Sequence, residues 1–352
     1  MGNSYPSSPA HWDRPESARK TMSSTAITAI TVVGAGAWGT ALALVLHQNG
    51  HPITLWGHDA THLAEIAREG TNDKYLPTVV LPREWRYEAD LPRALAGAEL
   101  VVLAVPSRAV RQIANRLVGF RGPVVSVTKG IEADTGLTMC GLIEQAVPGI
   151  ATACLSGPSL ALEVARGIPT AVVTASRDSA LTRDLQRLFH RPTFRVYASN
   201  DVTGVELGGA LKNVVAIAAG VCDGLQFGDN AKADLLTRAL AEITRLGVAC
   251  GARAETFAGL SGLGDLTVTC FSKLSRNRTF GERLGRGEPV ADLLTHRTSV
   301  VEGYPTARSA HALAHRLGVA APVIDIVHGM LYGGKPPLAA VRDLLSRDHR
   351  CE

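Results

Sequence analysis

Over residues 27–199, short apolar runs alternate with amphipathic stretches. "ITAITVV" (27–33), "HPITLWG" (51–57), "ELVVLAVP" (99–106) and "GPVVSVT" (122–128) are rich in β-branched residues and read as strands. "ATACLSG" (151–157), "TAVVTAS" (170–176) and "TFRVYAS" (193–199) have the same character. "TALALVLHQNG" (40–50) reads as a helix stopped by Asn-Gly. Strands alternating with helices predict a parallel, doubly wound sheet. After residue 200 the pattern changes. Segments 202–223, 230–251, 305–318 and 322–332 have helical periodicity, and no strand pattern follows. The expected organisation is an α/β domain over 26–202 and an all-α domain over 203–352, without internal repeats.

The first 25 residues, "MGNSYPSSPAHWDRPESARKTMSST", are polar and rich in Pro and Ser, and lack the apolar core of a signal peptide. They are expected to form a disordered tail, and Met22 is a second candidate start. The "MG" start lacks the Ser or Thr that myristoylation needs, because Pro6 stands there. No apolar run reaches the ~18 residues of a membrane span. The net charge of +4 is too small to argue for nucleic acid, and no nucleic-acid motif is present. The six cysteines are widely spaced, with no zinc pattern or disulfide framework, which fits reduced thiols in a cytoplasmic protein. No metal site is expected.

The first strand runs into "GAGAWG", with Gly34, Gly36 and Gly39 in the G-x-G-x-x-G spacing. In that spacing the first glycine makes the tight turn, the second lets the backbone approach a pyrophosphate, and the third lets helix pack on strand. The helix N-terminus then receives the anion. The second strand ends "LWGHD". An acid at that strand's end holds a ribose 2′-hydroxyl in NAD sites. Asp59 is placed for that role within counting error, whereas His58 tolerates a 2′-phosphate, so NAD and NADP both remain open.

"VELGGALKNVVAIAAG" (205–220) carries one lysine, Lys212, in a helix patterned for a protein interior. A buried ammonium is costly unless paired, hydrogen-bonded or neutralised. Four further segments place polar groups in apolar or glycine-rich surroundings. They are "SVTKGIE" (126–132), "LSGPS" (155–159), "GLGDLTVTC" (262–270) and "SRNRTFG" (275–281). Taken singly, each also fits a surface lysine, a turn, a helix cap or a solvated basic stretch.

Together with "GAGAWGTALA", "LWGHD", "VPS" (105–107) and "VVEGY" (300–304), and in this order, these segments resemble the NAD(P)-dependent glycerol-3-phosphate dehydrogenases of the bacterial type. The resemblance covers nearly all of residues 28–345. It implies a dinucleotide-binding domain followed by a substrate and catalytic domain, NADH or NADPH as cofactor, and a homodimer. It implies that Lys212 is the catalytic proton acceptor and that Lys129 touches both substrate and cofactor. Gly157, Ser159 and Asp265 would lie at the substrate. Ser275, Arg276 and Asn277 would hold its phosphate, with Arg276 also reaching the cofactor. Trp38, His58, Ala161, Val300 and Glu302 would border the cofactor. Ala37 departs from the serine that many members carry after "GAG", so only its backbone N–H can serve a phosphate. Arg278 reads as a surface neighbour.

The implied reaction is the reversible reduction of dihydroxyacetone phosphate to sn-glycerol 3-phosphate, which would feed phospholipid synthesis. The ketone oxygen gains negative charge as hydride arrives, and a lysine ammonium can stabilise that charge and donate a proton. A free lysine titrates near 10.4; burial and a second ammonium such as Lys129 would lower Lys212, and Asp265 would oppose a larger fall. A related two-domain dehydrogenase acting on a β-hydroxy acid is the nearest rival, and "SRNRTFG" and "VVEGY" argue against it. A non-catalytic dinucleotide sensor is the rival from another class. It would not need Lys129, Lys212 and Asp265 together.

Overall fold

The computed structural model describes residues 27–295 and 300–345. The expected tail, the candidate start at Met22 and Cys351 lie outside the described residues. The strands are β1 (Ile30–Val33), β2 (Ile53–Trp56), β3 (Thr71–Asn72), β4 (Leu76–Val80), β5 (Arg86–Glu88), β6 (Leu100–Leu103), β7 (Val124–Ser126), β8 (Thr152–Ser156), β9 (Thr170–Ala175) and β10 (Phe194–Ser199). The helices between them are α1 (Ala37–Gln48), α2 (Ala60–Glu69), α3 (Leu91–Leu95), α4 (Val110–Asn115), α5 (Met139–Ala146), α6 (Ala161–Ala165) and α7 (Ser179–Phe189). The second half holds α8 (Val202–Gly224), α9 (Gly228–Ala249), α10 (Ala254–Phe257), α11 (Asp265–Phe271), α12 (Arg276–Gly285), α13 (Val290–Thr295), α14 (Gly303–Leu317), α15 (Pro322–Tyr332) and α16 (Pro337–Leu345).

Eight strands form one sheet in the order β10-β9-β8-β7-β6-β1-β2-β5. Helices cover it, as the apolar runs require of strands buried on both faces. The chain moves from β1 outward to β2 on one side, then returns to β6 on the other. The crevice beyond the ends of β1 and β6 is therefore the switch point at which such sheets bind ligands. One expectation needs correction: the sheet is not wholly parallel, because β9 pairs antiparallel with β8. The helix in the β8–β9 link, α6, has only five residues, about 7 Å at 1.5 Å per residue. It is too short to carry the chain back across the sheet for a parallel crossover.

The helical half is built around α8. Its N-cap, Asp201, accepts from the Gly204 N–H at 2.9 Å, from Arg253 N–H at 3.0 Å and from the Thr256 hydroxyl at 2.6 Å, so one carboxylate starts α8 and fastens α10 to it. Among the described residues, α8 is the one helix long and apolar enough to cross a membrane, and its apolar window lies wholly inside the protein. Interspersed Gly, Glu206 and Lys212 break its sequence into runs too short to suggest a span. Glu206 accepts from the Cys140 N–H at 3.0 Å, docking α8 on α5 of the sheet half.

Helices α8 and α12 cross at glycines. A Cβ at Gly220 would stand 2.0 Å from the Arg278 carbonyl oxygen, and one at Gly281 2.0 Å from that of Ile217. Backbone contact of this kind brings the start of α12 alongside the stretch of α8 that carries Lys212. Arg278, read above as a surface neighbour, is instead buried, pairing with Asp223 of α8 at 2.6 Å and Glu282 at 3.0 Å. Its sequence neighbours are polar, but the close crossing turns its side chain against α8.

Gly281→Ala is expected to lower the urea midpoint of unfolding, with a loss of about 1–3 kcal/mol typical of overpacking. An unchanged midpoint would show that the two helices can separate without loss.

Candidate active site

The glycine loop follows β1. Gly34 has φ +129°, and a Cβ there would lie 2.4 Å from the Ala104 carbonyl oxygen, which follows β6. A Cβ at Gly39 would stand 2.0 Å from Gly34 O. Both glycines are thus demanded by the protein's own packing. Gly36 is different: a Cβ there would meet nothing within 4 Å. It caps α1, whose first turn has no side-chain cap. An open cradle at an uncapped helix start fits a dinucleotide pyrophosphate. Ala37, Trp38 and Ala161 pack against the same core beside the loop, and the Trp38 indole N–H is buried with no partner among the described residues. The sequence reading missed Asn72, whose side chain donates to Ala35 O at 3.0 Å and to the Thr40 hydroxyl at 2.8 Å, holding the loop from behind.

His58 is exposed just beyond β2. Asp59 N-caps α2, accepting from His62 N–H at 3.0 Å. That hydrogen bond above all, and the nearby Lys74 and His62 charges, hold its carboxyl below the usual range.

The second cluster joins three elements. Lys129 follows β7, Lys212 lies on α8, and Asp265 begins α11. Lys129 Nζ donates to Asp265 Oδ2 at 2.6 Å and to Gly157 O at 3.2 Å. Lys212 Nζ donates to Asp265 Oδ1 and, at 2.7 Å, to the Thr269 hydroxyl. That hydroxyl donates in turn to Asp265 O at 2.6 Å. Asp265 is wholly buried, Lys212 is 6% exposed, and the Lys129 side chain keeps 18% of its surface open. Ser159 donates to Gly157 O at 2.9 Å, beside Lys129. Thr269 was not singled out from the sequence; its place one helical turn after Asp265 is the available signal.

The two glycines before Lys212 explain its position. A Cβ at Gly208 would stand 2.6 Å from Ser261 O, and one at Gly209 2.4 Å from the Ser156 hydroxyl. Both let α8 press against the end of β8 and the turn before α11. The loop carrying Lys129 is braced by Glu132, which takes two bonds of 2.5 Å from Arg111. Burial drives the Lys212 ammonium down to about 7; the Asp265 charge opposes this and Lys129 adds to it.

The third cluster lies at the start of α12. Ser275 is its N-cap, accepting from Arg278 N–H at 3.3 Å. Asn277 donates to Asn213 Oδ1 at 2.8 Å and accepts from Gly303 N–H at 2.9 Å, tying α12 to α8 and to the start of α14. Arg276 reaches the surface while part of its side chain is crowded by neighbouring atoms, and among the described residues it makes no direct hydrogen bond or ion pair. The atoms crowding it lower its guanidinium, and the Glu302 charge opposes this. Glu302 accepts from Ser107 through its backbone N–H at 3.1 Å and its hydroxyl at 2.5 Å, and burial raises its carboxyl. Val300 adjoins it, half-buried. Ser107 belongs to the "VPS" segment after β6, so this cluster reaches back to the sheet crevice.

An open nucleotide cradle, two ammoniums on one carboxylate and an unpaired guanidinium at a helix start suit a dinucleotide-dependent reaction on a phosphorylated carbonyl compound. Comparison with known proteins agrees. The profile for the N-terminus of NAD-dependent glycerol-3-phosphate dehydrogenase matches residues 29–182, and that for its C-terminus matches residues 201–342. A glycerol-3-phosphate dehydrogenase [NAD(P)+] of Anaeromyxobacter dehalogenans is 50% identical over 92% of this chain and 99% of its own. One from Koribacter versatilis is 47% identical over 92% and 98%. The crystal structure of a glycerol-3-phosphate dehydrogenase from Coxiella burnetii, 39% identical, superposes with a TM-score of 0.88 over 91% of this chain and 99% of that one.

With the Asp59 carboxylate engaged as a cap, the chain is expected to bind NADH and NADPH with dissociation constants within about a hundredfold of each other. Titration of cofactor fluorescence decides this. A preference for NADH above about a thousandfold would mean that Asp59 leaves the cap for the ribose hydroxyls.

Proposed function

The chain belongs to the NAD-dependent glycerol-3-phosphate dehydrogenase family, and from that premise we propose how its residues carry the reaction. It is an NAD(P)-dependent oxidoreductase that reversibly reduces dihydroxyacetone phosphate to sn-glycerol 3-phosphate. When bound, the dinucleotide supplies the hydride in one direction and takes it up in the other. Gly34 and Gly39 shape the loop that holds it, and Gly36 with the backbone N–H of Ala37 receives its pyrophosphate. Trp38, His58, Ala161, Val300 and Glu302 border it, and Lys129 and Arg276 reach it from the substrate side.

The observation that carries the assignment is the shared Asp265 carboxylate. An ammonium has three N–H donors. Lys129 and Lys212 each spend two in the protein, so each keeps one for the ketone oxygen. In the reducing direction that oxygen becomes an alkoxide as the carbon–hydrogen bond forms. Lys212 donates the proton, Lys129 stabilises the charge, and the products are an alcohol and a neutral Lys212 amine. The reverse direction uses that amine as the base. A pKa lowered towards neutrality suits both. Asp265 aims both lysines at the substrate, and Gly157 and Ser159 border it.

The phosphate is assigned to the start of α12. Arg276 offers a planar fork for bidentate contact, the first turn of α12 adds its N–H dipoles, and Ser275 and Asn277 complete that edge. Phosphate binding energy then orients the ketone. The same reading places the enzyme in the cytoplasm as a homodimer, supplying glycerol phosphate for phospholipid synthesis. Exposed Leu263, Phe271 and Leu274, in and around α11, support an apolar contact between copies.

Steady-state rates of cofactor oxidation at varied dihydroxyacetone phosphate separate the two roles. Lys212→Ala is expected to lower kcat about 10²–10⁴-fold, the usual loss of a positioned general acid, with cofactor affinity retained. Arg276→Lys keeps the charge but loses the fork, so KM should rise about tenfold with much smaller change in kcat. Retention of more than about a third of kcat by a folded Lys212→Ala variant would remove the lysine from the chemistry. Equal losses by Arg276→Lys on dihydroxyacetone phosphate and on phosphate-free dihydroxyacetone would remove Arg276 from the phosphate.

A further inference from the structure

Helices α14 and α15 lie side by side, and a row of four rings runs between them, three of them stacked. Tyr332 lies 5.1 Å from His328, His328 lies 4.0 Å from His311 with the planes 6° apart, and His311 lies 4.3 Å from His315. The Tyr332 hydroxyl donates to Tyr304 O at 2.7 Å, which anchors the far end of the column. Against its near end stands Asp325. One carboxylate oxygen, Oδ1, is 2.9 Å from His311 Nδ1 and 3.4 Å from His315 Nε2. The three ligand atoms lie within 4.8 Å of one another.

Two histidines four apart on a helix share a face, and a third donor from the neighbouring helix completes a triangle. Zinc bound tetrahedrally by nitrogen and oxygen at about 2.0–2.2 Å requires ligand atoms roughly 3.3–3.5 Å apart. Two edges of the triangle, 2.9 and 3.4 Å, sit close to that spacing. The charged surroundings are mixed. Asp325 favours a cation; Glu242, raised by burial to about 7 and bonded to two backbone N–H groups, adds little, and the Arg245 and Arg308 charges oppose one. Two imidazoliums at this separation would repel, whereas neutral rings turn lone pairs to a metal.

We propose that His311 Nδ1, His315 Nε2 and Asp325 Oδ1 form a site for a divalent zinc-class ion that clips α14 to α15. A water would fill the fourth position, since the His315 side chain is 64% exposed and leaves the site open. On binding, the proton shared between His311 Nδ1 and Asp325 is released or moves to Nε2. The His328 stack holds the His311 ring in place. The HxxxH spacing was present in the sequence, but nothing there paired it with Asp325 beyond the turn. The role is structural and separate from the lysine chemistry, so it does not rest on the functional assignment.

The test uses the untagged full chain, stripped by chelator and titrated with zinc against a competing indicator dye, with cobalt absorption as a second readout. Wild type is expected to bind about one equivalent, with a rise in Tm. His315→Ala and Asp325→Asn should each weaken that binding at least about tenfold, with the far-ultraviolet dichroism unchanged. His315→Ala alters an exposed side chain, so it tests the site without threatening the fold. Absence of wild-type binding tighter than about 0.1 mM, or equal binding by wild type and His315→Ala, would overturn the site.

Discussion

Two ammoniums on one buried carboxylate set the terms for the rest of this structure. Asp265 has no solvent to share its charge with, and Lys212 has almost none. Burying such groups costs several kcal/mol for each ion unless close partners offset it. Here the offset is geometric: each carboxylate oxygen takes one lysine, and Thr269 and Gly157 take second donors. The participants come from a sheet loop, from α8 and from α11. The bridge therefore ties the sheet half to the helical half at the point where the chemistry is proposed. Removing Asp265 would leave two positive groups facing each other, which is why the carboxylate has to be counted with the lysines.

The glycines make that bridge reachable. Gly208 and Gly209 let α8 approach the end of β8 and the turn before α11, and Gly220 and Gly281 let α12 approach α8. Asn277 then links α12, α8 and the start of α14, next to Glu302 and its partner Ser107. The start of α12 and the Lys129–Asp265–Lys212 bridge are held near each other by these close backbone contacts together with the side-chain bonds of Asn277 and Glu302.

Much of this is legible from residue order. The glycine spacing after β1 and the lone lysine of α8 point to a nucleotide loop and a buried ammonium, because each type has few other reasons to occupy such a place. Other features depend on partners far along the chain, and local pattern is silent about them. "SRNR" looks like a solvated basic stretch, yet Arg278 is buried because Asp223 waits on α8. Asp265 reads equally well as a helix cap, and only the fold shows both its oxygens taken by lysines. Asn72 sits in a two-residue strand with no periodicity to reveal it. The reversed direction of β9 follows from the shortness of α6, whose boundaries the apolar pattern does not mark.

Whether Asp265 tunes and aims Lys212 is read from the pH dependence of kcat/KM for dihydroxyacetone phosphate reduction. In the proposed mechanism reduction needs the protonated lysine, so the wild-type rate should fall as pH rises through the Lys212 pKa, which burial places at about 7. Asp265→Asn removes the charge that holds that pKa up, so the falling limb should move to lower pH, with a reduced plateau. A variant whose limb stays where it is in wild type, or moves to higher pH, would show that Asp265 does not hold the Lys212 pKa up.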